Sequence, residues 1–235
     1  NRAQFAFELE QYAHLDPDTL LLPQSPSLPE YTAANPLAGQ VEGSELLNSQ
    51  LTALSFSVDT NHIYITSGTQ VIRNGNDTLR LDEEGNLVYH ALAGESTRYR
   101  LPLRLSDQIE ECRALAQATV GALCGDGRLY LQQIRLAGET LVVEFGYVLS
   151  GAQVQVGSEG YAAQFVLEAE QITQFTLRYR RYQAAPEQAL VLPELQAAAA
   201  LQALGRSGQE LSLVYTDNGG ERLTPAWYTA GKGGA

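Results

Sequence analysis

Ser212–Thr229 reads SLVYTDNGGERLTPAWYT. Two alternating runs, ELSLVYTD and ERLTPAWYT, flank Asn218-Gly219-Gly220, and alternation with a glycine turn between the runs predicts a pair of strands. Pro225 has no N–H for a ladder, so it places the last strand at an edge or a bulge. A helix is expected just upstream, with Pro193 in its first turn. Leu192, Leu195, Ala198, Leu201 and Leu204 recur every three residues, and Gly205 supplies a stop. Before the helix, RLYLQQIRLAGETLVVEFGYVLSG reads as a hairpin turning at Ala137-Gly138. YAAQFVLEAEQITQFTLRYRRY reads as two strands around Glu170-Gln171. In the second of these, Phe175, Leu177 and Tyr179 face one way, and Thr176, Arg178 and Arg180 the other. The expected fold class is therefore α+β, with a sheet as its working surface.

Upstream, LTALSFSV, HIYITSG, TQVIRNG, DTLRLDEEG and NLVYHAL form an antiparallel meander of four or five strands. Its turns include Asn-Gly and Glu84-Gly85-Asn86. A helix over 106–123 follows Pro102. Asp107 and Glu110 fit a capping box, and Ile109, Cys112, Ala116, Val120 and Leu123 make the buried stripe. Gly125-Asp126-Gly127 ends it. Each of the two main helices precedes a meander, a repeat of topology without residue identity. Residues 1–50 carry seven acids, one base and prolines at 17, 23, 26, 29 and 36. They read as a proline-rich arm with a short helix near Ala3–Tyr12. Three segments are expected: an arm over 1–50, a β-meander over 51–101 and an α+β module over 102–235.

The 27 acidic and 15 basic residues leave a net charge of −12, and Lys232 is the only lysine. That balance argues against a nucleic-acid partner, which needs a basic face and counterion release, and against electrostatic adhesion to anionic lipid. A hydrophobic content of 44% with 18% charged residues describes a globular chain. Cys112 and Cys124 are twelve residues apart on or near one helix. Such a span is roughly 18 Å, against the roughly 7 Å that a disulfide bridges, so no bond between them is expected.

No nucleophile elbow, phosphate loop or dinucleotide fingerprint is present, and His14, His62 and His90 lack partners at zinc-ligand spacing. Glu83-Glu84 and Glu110-Glu111 are explained by a turn and a helix start. The expectation is a protein that is not an enzyme and has no cofactor or metal. The notable basic cluster is Arg178, Arg180 and Arg181. It either holds an anionic ligand or a partner's acidic face, or pairs with the chain's own Glu168 and Glu170. Tyr179, Tyr182 and Trp227 lie among these elements and join the three arginines as candidate binding residues, since an exposed aromatic row suits an interface.

The runs EFGYVLSGAQVQVGSEGYAAQFVLEAEQITQFTLRYRRY, LPELQAAAALQAL and LSLVYTDNGGERLTPAWYT together resemble the regulatory proteins YycH and YycI of Gram-positive bacteria. The matching residues are Phe145, Gly151, Val154, Tyr179, Tyr182, Leu195, Leu213, Tyr215, Leu223, Pro225 and Trp227. The resemblance covers about 90 residues. The family's closing strand after the Trp, with its Asn-Ala pair, has no counterpart here. The resemblance implies a PepSY-like α+β ectodomain held outside the cell by an N-terminal membrane anchor. It also implies regulation of a cell-wall-sensing histidine kinase through protein binding, with homo- or heterodimers, and it brings no catalytic residues. The alternative expectation is a ligand-binding module for cell-wall fragments or a small anion.

Overall fold

The structure, a computed structural model, describes residues 27–40, 44–56, 62–91, 96, 98–204 and 210–230. The expected helix at Ala3–Tyr12, His14, Gly205 and the tail around Lys232 lie outside the described residues. Strand β1 (Ser27–Ala34) belongs to the expected arm and is extended, as Pro29 favours for the residue before it. Helix α1 (Glu45–Ala53) corrects the strand expected at LTALSFSV. Ser44 caps it by accepting the Leu47 N–H at 3.2 Å. Leu47, Leu51 and Leu54 then fall on one buried face at helical, not strand, spacing. Cap and stripe straddle the boundary drawn at residue 50, which hid both.

The meander is β2 (His62–Thr66), β3 (Thr69–Asn74), β4 (Asp77–Leu81) and β5 (Asn86–Ala91), antiparallel in sequence order. Helix α2 (Leu105–Ala118) follows, then a 3-10 turn at Gly121–Leu123. The capping box does not form. The helix begins before Asp107, with Arg104 at the cap position and no side-chain cap bond. Asp107 thus sits in the first turn, where its charge suits the helix dipole, and Glu110 pairs with Arg113. Cys112, Ala116 and Val120 are fully buried, as the stripe predicts.

Next come β6 (Arg128–Ala137), β7 (Thr140–Leu149), β8 (Ala152–Val156), β9 (Ala163–Glu168), β10 (Gln171–Arg178) and β11 (Arg181–Leu190). Helix α3 (Glu194–Ala203), β12 (Glu210–Asp217), β13 (Arg222–Leu223) and β14 (Pro225–Ala230) complete the described chain. The stripe expected on α3 is only partly buried. Ala197, Ala198 and Leu201 face inward, whereas Leu192 and Leu204 are exposed. The helix lies over the end of the sheet and touches it along a narrow strip at Leu211 and Trp227.

The fold is mixed α+β, mostly β-sheet, with three α-helices among the described residues. One eleven-stranded sheet runs β14-β12-β8-β7-β9-β10-β5-β4-β3-β2, with β6 on the other edge of β7. The edge of β7 opposite β6 pairs with β9 along Leu141–Phe145 and with β8 along Tyr147–Leu149. Separate meanders are therefore not what forms. β5 pairs with β10 across the boundary expected at 101/102, and β12 joins β8 in parallel. Strands β11, β1 and β13 make a second, three-stranded sheet. Proline-bearing β14 is an edge strand, as Pro225 requires.

Register fixes which side chains share a face. Ile72, Leu79, Tyr89, Phe175, Phe165 and Val143 form one continuous inward row, all buried. Phe175 stacks on Tyr89 with ring centroids 4.7 Å apart. The buried residues of α1 and α2, together with Tyr31 and Leu223 of the small sheet, join this core.

Candidate functional site

The chain changes sheets between Arg178, the end of β10, and Arg181, the start of β11, and this break sorts the expected binding residues. Tyr179 and Tyr182 are buried. The Tyr179 hydroxyl donates to Gln50 Oε1 at 3.1 Å, and the Tyr182 hydroxyl to Asp217 Oδ2 at 2.9 Å. Arg180, 9% exposed, donates from Nε and Nη2 to the two Asp217 oxygens, each at 2.7 Å. Burial by itself opposes the Arg180 charge, but the bonds and charge of Asp217 outweigh it and hold the guanidinium above its ordinary value. Burial first, and then the Asp217 charge, pushes the Tyr182 phenol far up. This Asp–Arg–Tyr node therefore ties β12 to the segment joining the two sheets.

Arg178 is half-buried, its guanidinium 4.3 Å from the centre of the Tyr161 ring, and Arg181 is exposed. Trp227 packs on the α3 cluster and donates from Nε1 to the Leu192 carbonyl at 3.0 Å. The six residues therefore do not form one surface. Nor do Arg178 and Arg180 pair with Glu168 and Glu170: a ring and Asp217 take those places. Arg178 and Arg180 do line a common cleft of about 780 Å³, with Asn35, Glu83, Glu84, Ser158 and Glu221 also on its wall. Its carboxylates, Asp217 included, outnumber its two arginines, so the cleft is a poor anion trap.

A second node of the same type stands further along the sheet. Asp77 accepts from Arg98 Nε at 2.9 Å and from the Tyr89 hydroxyl at 2.8 Å. The Arg98 guanidinium also lies 4.3 Å from the centre of the Phe56 ring. Cys112 and Cys124 are separate buried thiols. Desolvation pushes Cys112 up to about 12, which leaves it protonated and unreactive at neutral pH. Among the described residues no three His, Cys, Asp or Glu side chains converge as a metal group.

The opposite face of the long sheet differs in kind. All three described helices bury their apolar side chains in the inward clusters, so none covers this side. One outward row runs His62, Arg73, Thr78, His90, Gln174, Val166, Val142, Arg135. Its neighbour runs Tyr64, Val71, Arg80, Val88, Thr176, Gln164, Glu144, Gln133. With Arg128 and Arg178 at outward positions too, β2–β7, β9 and β10 present five arginines and two histidines against the carboxylates Glu144 and Glu168. Arg73, Arg80, Arg128, Arg135, His62 and His90 are exposed. His90 is held below its ordinary pKa, first by partial burial and then by the charge of Arg80. Glu144, by contrast, is buried and engaged by Gln164 at 2.8 Å and Arg135 at 3.6 Å.

Sequence reading placed His62 and His90 on sheet faces, and the structure does the same. It missed Arg73 and Arg80 as members of one surface and Asp217 as the partner of Arg180. The signal for the first was alternation, which puts Arg73, Arg80 and His90 at outward positions. Asp217 closes a strand before Asn218-Gly219-Gly220 and reads locally as a turn residue. No protein-family model matches the chain, and no curated protein matches it.

Proposed function

We propose that this protein is a non-enzymatic, extracytoplasmic regulator that docks on a membrane protein through the open face of its long sheet. The partner class implied by the YycH- and YycI-like residues is a sensor histidine kinase of a cell-wall-responsive two-component system, and the chain is then a PepSY-like domain of such a regulator. The observation that carries the reading is charge inversion: a chain of net charge −12 turns five arginines and two histidines to one sheet face that no described helix covers. Such a face is complementary to an acidic protein surface and steers its approach. Binding then biases the two-state balance of the kinase by its differential affinity for the two states. No helix among the described residues is long and apolar enough to cross a membrane, so the anchor in this reading lies elsewhere.

The test is binding of the protein to the kinase ectodomain, and to the anchored full-length kinase, at two salt concentrations. Binding that weakens with salt and with Arg73→Glu/Arg80→Glu supports the reading. Absence of binding to either form, or binding indifferent to both changes, overturns it. The small-anion alternative is disfavoured by the acidic cleft and by the engagement of Arg180 with Asp217.

A further inference from the structure

We propose that the outward face carries a site for a phosphate-type dianion, seated on Thr78 and gripped by Arg73, Arg80 and His90. The site does not rest on the kinase reading, and none of its four residues lines the acidic cleft.

Register assembles it. Thr78 on β4 lies opposite Arg73 on β3 and opposite His90 on β5, and Arg80 stands two residues further along β4 on the same face. Directly opposite side chains are about 5 Å apart at Cβ, and a diagonal neighbour such as Arg80 is about 7–8 Å from Arg73 and His90. A tetrahedral oxyanion above Thr78 is thus within reach of two guanidiniums, an imidazole and a hydroxyl. His62, opposite Arg73 on β2, adds a basic group at the rim. Two guanidinium forks with a hydroxyl and an imidazole offer more donors than a carboxylate can accept, and they suit the oxygens of a phosphate or sulfate group.

This end of the sheet differs electrostatically from the rest of the molecule. Among the described residues, Arg98, Arg113, Arg135, Arg180 and Arg222 each have a carboxylate partner, and Arg178 lies over the Tyr161 ring. Arg73 and Arg80 are exposed and have neither. The chain has 27 acids for 15 bases, so counter-charges were plentiful, yet basic groups stand together here. Partial burial and then the Arg80 charge hold His90 below its ordinary pKa. Like charges on neighbouring strands weaken a sheet, and a bound dianion relieves them.

The surroundings favour the same ligand. Val71, buried, and Val88, half-buried, lie opposite Arg80 on its two sides, an apolar floor over which charge is less screened. The groups directly opposite His90 are uncharged: Thr78 on β4 and Gln174 on β10. Asp82, in the turn beyond Arg80, is taken by the Asn86 N–H and Nδ2 at 2.8 and 2.9 Å.

Titration of the whole chain with sodium sulfate, followed by NMR of the His90 ring and set against sodium chloride at equal ionic strength, tests the site. Sulfate keeps its charge over the histidine range. Saturable binding is expected, with the His90 titration moved upward by the anion and binding tighter as pH falls through it. Arg80→Gln and Thr78→Val should each weaken binding by about tenfold. Arg113→Gln, the same change of net charge away from this face, should not. Inorganic phosphate and methyl phosphate, titrated in parallel, separate the free ion from an esterified source, the tighter of the two naming it. Shifts that chloride reproduces, or that Arg113→Gln weakens as much as Arg80→Gln does, overturn the proposal. The titration contains no kinase, so its failure leaves the docking test standing, and loss of kinase capture with sulfate binding intact sinks the docking reading alone.

Discussion

The two faces of the long sheet use arginine in opposite ways. On the inward side Arg180 is buried and Arg98 partly so, and each is held by a carboxylate that also accepts a tyrosine hydroxyl. On the outward side Arg73 and Arg80 stand exposed beside His90. A desolvated arginine needs a fixed counter-charge and becomes a structural tie, whereas a solvated one keeps its field for a partner. Arg178 and Arg180, two residues apart, fall into different classes because the chain leaves the sheet between them.

The largest effect expected from breaking this contrast is at the buried node. Asp217→Ala leaves Arg180 without its counter-charge and Tyr182 without its acceptor, and should cost about 3–5 kcal/mol in denaturant unfolding. The double variant Arg180→Met/Asp217→Leu should recover most of that loss. A double variant as unstable as Asp217→Ala would sink the view that the unpaired charge, not the lost tie, dominates.

The outward arginines should respond in the reverse manner. Arg73→Glu/Arg80→Glu should change stability by no more than about 0.5 kcal/mol, while weakening capture of the kinase ectodomain by about tenfold or more. Calorimetric unfolding and a binding titration on the same samples compare the two. Arg178→Ala is intermediate. It removes a cation from the Tyr161 ring and should cost about 0.5–1 kcal/mol, read from the shift in denaturation midpoint.

The smallest effect is at His90. Its folded pKa is depressed, so the stability it contributes is full above the ordinary histidine value of 6.5 and is lost as pH falls through the lowered folded value. His90→Gln should flatten that part of the pH–stability curve and leave neutral pH unchanged. An unaltered acid limb would show that His90 is not held below its ordinary value in the fold.

Much of the fold was legible locally. The meander of β2–β5, the turns at Gly85 and Gly138, the α2 stripe and the edge placement of Pro225 all follow from spacing and turn chemistry. What escaped did so for physical reasons. Helix α1 was hidden because its cap and its stripe lay on either side of a compositional boundary. Strand β11 escaped because Pro186 and a run of Ala, Gln and Glu carry no clear alternation, and pairing with β1 supplies the order instead. The candidate site was legible only as types. Arginine and tyrosine were named, but Tyr179, Arg180 and Tyr182 proved to be interior.

By itself the sequence determined which residues share a face, because a strand has period two and a helix 3.6 whatever surrounds it. It also determined the charge and the turns. Only the tertiary structure decided which face the described helices cover and that Asp217 closes on Arg180 from 37 residues away. Those outcomes depend on long-range pairing and desolvation, and local periodicity carries no record of either.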